Sequence, residues 1–96
     1  MARKRTSSLE TERRLLKKTA TSMTRLVNDL TKLRKVTEEI QSRFDEAADW
    51  QISDMMYRFY NEVAQLEEEL DTSHYSFKQM YEELGGTDVI PDPIEG

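Results

Sequence analysis

At 96 residues, 36% hydrophobic and 34% charged, the chain holds one small domain and can bury only a narrow apolar seam. It has no cysteine, which excludes disulfides, thiolate metal sites and cysteine nucleophiles. The net charge of −5 is unevenly divided: Met1 to Ala48 carries 12 Lys/Arg and 7 Asp/Glu, whereas Asp49 to Gly96 carries 2 and 12, so a basic arm faces an acidic arm if the chain folds back.

The chain opens on a basic polar segment, Met1 to Ser8, containing Arg3, Lys4 and Arg5. Such a start reads as a frayed tail. No nucleic-acid partner is expected, because aromatics are not interleaved with these cations and the second half is acidic. No stretch reaches the roughly 20 apolar residues of a membrane span, and no apolar signal core follows the basic start. A cytoplasmic origin without membrane insertion is therefore expected, with any export using a route that needs no cleaved signal.

From Ser8 to Phe44 there is no glycine or proline, and Leu16, Met23, Leu26, Leu30, Leu33, Ile40 and Phe44 recur at helical spacing, which predicts a helix over about 8–46. Ser8 offers an oxygen for the orphan amides of its first turn. Past Phe44 the stripe slips register, since continuing by sevens lands on Gln51 and Arg58. That slip predicts a turn over about 47–53, around Trp50 and capped by Asp49 or Ser53. A second stripe, Ile52, Met56, Phe59, Val63, Leu66, Leu70, Phe77, Met80 and Leu84, predicts a helix over about 54–84. Gly85 and Gly86 stop it, because glycine accepts the left-handed conformation of a helix end. Residues 87–96, with Pro91 and Pro93, read as an acidic extended tail.

The two stripes mirror each other about Trp50. In antiparallel helices of equal rise, facing residues then have numbers summing to about 100. Leu16 is set opposite Leu84, Leu30 opposite Leu70, Leu33 opposite Leu66, Ile40 opposite Phe59, and Arg34 beside Glu67. The predicted fold is an all-α antiparallel two-helix hairpin. A four-residue stutter offers the alternative of a single long coiled-coil helix of about 77 residues, spanning about 115 Å.

Catalytic chemistry is not expected. His74 is the only histidine, so no zinc set or nucleophile pair is available; it reads as a helix-flank residue. Glu67 to Glu69 and Glu82 with Glu83 fan around a helix instead of converging, and two helices make no enclosing pocket. No cofactor or metal is expected. Tyr60, His74 and Tyr81 stand at multiples of seven on one flank of the second stripe, with Ala20, Val27 and Ala48 on the matching flank of the first. Either the tyrosines cover the seam edge with wet hydroxyls, or Ala20, Val27, Tyr60, His74 and Tyr81 line a groove for a further helix. The other flank, with Ser22, Asp29, Arg43, Glu62, Glu69 and Glu83, is far more polar.

A helix, a turn bearing a tryptophan, and a second helix in a chain of this length resemble the small Trp-X-Gly proteins of bacterial type VII secretion. Two features depart from that pattern. The turn reads Trp50-Gln51-Ile52, without the glycine. The export pattern of a tyrosine followed four positions later by an acid also fails, as Tyr81 leads to Gly85, Tyr75 to Gln79, Tyr60 to Ala64 and Tyr57 to Asn61. These departures suit a related group, the small α-helical partners encoded with LXG-domain toxins, some of which lack the export motif. The resemblance implies a non-catalytic targeting partner or chaperone. Its partners would be the helical N-terminal region of a secreted toxin and a second small helical protein, with co-export alongside the cargo or homodimerisation when alone. Only Trp50 at the turn carries over as a residue. A self-associating coiled-coil scaffold is the competing expectation.

Overall fold

The computed structural model describes residues 2–93, with side chains from Leu9 onward. Two helices, α1 (Ala2–Glu46) and α2 (Trp50–Glu83), pack against each other as an antiparallel hairpin. The molecule measures 68 × 19 × 14 Å. That length matches α1 alone at 1.5 Å per residue and is far short of the straight rod. The helix begins ahead of the expected Ser8, while the side chains of Arg3, Lys4 and Arg5 lie outside the described residues.

The turn is shorter than expected. Asp49 N donates to Phe44 O (2.9 Å) and Ala48 N to Asp45 O (3.1 Å), a pair of crossed bonds that closes a helix end by placing one residue in the left-handed region. That residue is Ala48, at φ 60°. The same closure ends α2, where Gly86 N donates to Tyr81 O and Gly85 N to Glu82 O, with Gly85 at φ 89°. The first turn therefore lacks a glycine because an alanine carries its strain, at about 1 kcal/mol. Asp49 then caps α2 by accepting from Ile52 N, so Trp50 is the first residue of the second helix and not the middle of a loop.

The register agrees with the mirror rule. Cross-links pair Arg13 with Leu84, Thr31 and Arg34 with Glu67, and Asp45 with Ser53, so the paired numbers sum to 97–101. The helices are, however, rotated about their axes. The buried line consists of Ala20, Thr24, Val27, Thr31 and Thr37 on α1 and Ser53, Val63, His74 and Tyr81 on α2. Of the two expected stripes only Val63 is fully buried, while Leu26, Leu33, Phe59, Leu66 and Met80 remain 40–50% exposed. Bulk explains the correction: small side chains on the contact line let the axes approach closely, whereas leucines there would hold them apart. Burying the hydroxyls costs little because Thr24 reaches Ala20 O (3.1 Å), Thr31 reaches Val27 O (3.0 Å) and Thr37 reaches Arg34 O (2.8 Å).

The acidic tail is non-helical as expected, but it is not free. Residues 87–93 fold back as a strap over the open end of the hairpin. Ile90, 2% exposed, sits in a cluster with Ala20 and Tyr81, flanked by Leu16 and Phe77. The Thr24 hydroxyl donates to Pro91 O (2.7 Å), and Lys17 and Lys78 pair with Asp88 and Asp92.

Candidate functional site

The rotation of the helices decides which surface is available. Ala20, Val27, His74 and Tyr81, expected on an outer docking flank, are buried between the helices or beneath the strap, and Tyr60 is half-buried. They are seam residues, and a partner helix has no access to the four buried ones. His74 is likewise not a flank residue: it is 2% exposed, and its Nε2 has no hydrogen-bond partner. Tyr81 serves two elements at once, packing in the cluster with Ile90 and accepting from Asp88 N (3.0 Å) through its hydroxyl.

Polar groups fix the middle of the seam. Arg34 Nε donates to Glu67 Oε1 (2.7 Å) and the Thr31 hydroxyl to Glu67 Oε2. Burial pushes the Glu67 carboxyl up, yet the hydrogen bonds from Thr31 and Arg34 outweigh it and hold the group below the usual carboxylate range. Hydrogen bonding to Glu67, and then to Tyr60, raises Arg34 in turn. At the open end, Arg13 donates to Leu84 O (2.9 Å), placing a cation on the last carbonyls of α2. Lys17 lies 2.8 Å from Asp88, raising the lysine and lowering the carboxyl. These contacts join parts of the fold to one another. Among the described residues there is no group of acids and histidine able to hold a metal ion.

The surface left open is apolar. Leu26 and Leu33 on α1 and Phe59, Leu66 and Met80 on α2 are exposed, with Met23, Leu30, Ile40, Met56 and Leu70 half-buried beside them. In both helices the exposed apolar positions precede the buried line in rotational order. In antiparallel helices that common sense of rotation brings both sets to the same side of the hairpin. One broad face therefore carries leucines, a phenylalanine and a methionine along much of its length. It is bordered on α2 by Glu62, Glu69 and Glu83, all exposed. No family model, curated protein or solved structure matches this chain. Its geometry must therefore indicate its role.

Sequence periodicity found the residues of this face but assigned them to the interior. The missed signal was in the hydroxyls: Thr24 and Thr31 are spaced by seven, in line with Ala20 and Val27, so a small-residue stripe ran beside the leucines. Ile90 carried no periodic signal. Trp50, at 64% exposure, borders an open hollow with Gln41, Gln51 and Tyr57 at the turn.

Proposed function

We propose that the protein is a non-catalytic binding partner that covers its apolar face with the helices of another protein. Following the resemblance to LXG-toxin partners, that protein is the helical N-terminal region of a type VII secreted toxin, which the hairpin keeps soluble and helps to direct to the secretion apparatus. The observation carrying this reading is the row Leu26, Leu33, Phe59, Leu66 and Met80, large side chains exposed on one side of a hairpin whose own seam is already filled. Apolar patches of this extent mark interaction surfaces, and helices spaced by sevens accept other helices edge to edge.

Co-expression with the N-terminal helical region of an LXG toxin encoded beside it tests the reading. The wild-type chain should co-purify with that region as one complex, and Leu33→Glu or Leu66→Glu should abolish co-purification while circular dichroism of the hairpin stays helical. A complex that survives both changes would place the binding surface elsewhere. No complex at all would remove the targeting role.

A further inference from the structure

The strap has the make-up of a bound peptide. Ile90 is the one buried residue of 87–93, and it fills a socket of Ala20 and Tyr81 flanked by Leu16 and Phe77. Charges bracket the socket: Lys17 on α1 holds Asp88 (2.8 Å) and Lys78 on α2 holds Asp92 (3.1 Å), acids two positions to either side of Ile90. The Thr24 hydroxyl donates to the Pro91 carbonyl (2.7 Å), and the Tyr81 hydroxyl accepts from Asp88 N (3.0 Å). Pro91 and Pro93 confine the residues before them, Ile90 and Asp92, to extended backbone, so the segment gives up little freedom on docking, as proline-rich ligands do. Lys17 and Lys78 follow the buried line in rotational order, the opposite sense from the exposed leucines. The strap therefore lies in the groove on the side of the hairpin away from the apolar face.

We infer that this rear groove is a binding site for an extended segment of a partner protein, an aliphatic residue followed by proline and flanked two positions away on each side by acids, and that residues 87–93 are its built-in competitor. The construction of strap and groove favours exchange. A single buried side chain anchors the strap, and its two ion pairs use exposed carboxylates, which hold weakly. It therefore opens more readily than the hairpin does. The groove walls belong to α1 and α2, which hold each other along the remaining seam and keep the socket in shape when the strap leaves. The strap also fills its site incompletely. Where it ends, Asp92 and Pro93 line a hollow with His74, whose buried Nε2 has no hydrogen-bond partner, and a proline nitrogen carries no hydrogen to give it. A partner segment with a hydroxyl at that position makes the bond that the strap leaves unmade. The inference goes beyond the proposed function, because it concerns a different surface and holds whether or not a toxin region covers the apolar face.

The test uses the full chain and a labelled peptide of the strap's own sequence, Thr-Asp-Val-Ile-Pro-Asp-Pro. Ile90→Ser removes the anchor, and Asp88→Lys with Asp92→Lys expels the strap by charge while leaving the socket intact. Either variant presents an open groove on a hairpin whose helicity circular dichroism checks. Both should bind the peptide in fluorescence anisotropy. The wild-type chain should bind it about tenfold more weakly, the ratio expected when a strap tethered at roughly millimolar effective concentration competes with a peptide of about 100 μM affinity. Serine in place of the peptide's isoleucine should abolish binding, and serine in place of its last proline should tighten it about threefold by partnering His74. Lys17→Glu in the Ile90→Ser chain should weaken binding about fivefold, and lysine in place of the peptide's first aspartate should restore it. Leu33→Glu, on the apolar face, should change nothing. No binding to either released chain, equal binding to released and wild-type chains, or a charge swap without rescue would each overturn the inference. A final serine that binds no better than proline would also overturn it, leaving the strap as a clasp and the groove's best occupant. Binding of a toxin region is read by co-purification through the opposite face, so its failure is distinguishable from any of these outcomes.

Discussion

Gly86 lies against the ring of Tyr81 so closely that a methyl group built on it would overlap the ring carbons. The helix end, the aromatic ring and the strap therefore form one packed unit: the ring occupies the space a side chain at position 86 would need, and its hydroxyl holds Asp88 N. Gly85, by contrast, has open space around it and is constrained only by its φ of 89°.

Gly86→Ala should displace Tyr81 and lower stability by about 1 to 3 kcal/mol, the usual range for overpacking. Gly85→Ala should cost only about 1 kcal/mol, from backbone conformation alone. Urea unfolding of the two variants distinguishes them. If Gly86→Ala proves as mild as Gly85→Ala, the ring is free to move aside.

Tyr81→Ala should act on the fold. Removing a large buried ring costs about 3 to 5 kcal/mol, and here it also frees Ile90 and the strap. Leu66→Ala, on the open face, should leave the melting of the monomeric hairpin within about 0.5 kcal/mol while weakening any complex formed there. Melting curves combined with binding titrations separate the two effects. A stable Tyr81→Ala variant would move this residue out of the core.

Ile90→Ala should loosen the strap without melting the helices. Ile90 is the anchor of a terminal segment, so the loss should lie near the low end of the range for buried aliphatics, about 2 kcal/mol. Limited proteolysis should clip residues 87–93 faster in this variant. Equal rates would show that the ion pairs of Lys17 and Lys78 hold the strap by themselves.

Stability should fall with acid through Glu67. Its carboxyl is held below the usual range in the fold, so on acidification the unfolded chain takes up the proton first and is favoured. The contribution is fully present above the unfolded carboxylate value of about 4.3 and is lost as pH drops through the lower folded value. Chemical denaturation between pH 7 and 3 should show this loss, and Glu67→Gln should flatten the carboxylate-dependent part. A slope unchanged in the variant would assign the acid sensitivity to other carboxylates.

Ala48→Gly should stabilise the hairpin by up to about 1 kcal/mol, because glycine adopts φ near 60° without the penalty of a side chain. Thermal melting gives the sign directly, and a lower midpoint would mean that the alanine relieves more unfolded-chain entropy than it strains.

The hairpin, its register and the pairing of Arg34 with Glu67 were legible in the sequence, because mirrored periodicity constrains which residues lie level. Rotation about each axis was not, since it is chosen by bulk. Leucines and threonines both recur by sevens here, and hydrophobicity favours the leucines while close approach favours the small residues. The candidate face was therefore read as core, and core residues such as Ala20 and Tyr81 as surface. The register slip placed the turn, but not its short span, because Ala48 occupies a position where glycine is the usual signal. The strap lacked any periodic pattern, and Ile90 is buried by two elements distant in sequence.

The constant sum of facing residue numbers also orders how the molecule closes and opens. Pairs near the turn, such as Asp45 with Ser53, enclose 8 residues of separation, the Arg34 to Glu67 contact 33, and the Arg13 to Leu84 and Lys17 to Asp88 contacts 71. Each successive layer closes a loop already shortened by the layer before it, so the chain can zip outward from Ala48 with little added entropy at each step. The strap end completes the sequence and is the first to part. Amide protons of residues 81–90 should accordingly exchange ahead of those flanking Val63, and a protease, or a partner inserting at that end, would meet the hairpin where opening is easiest.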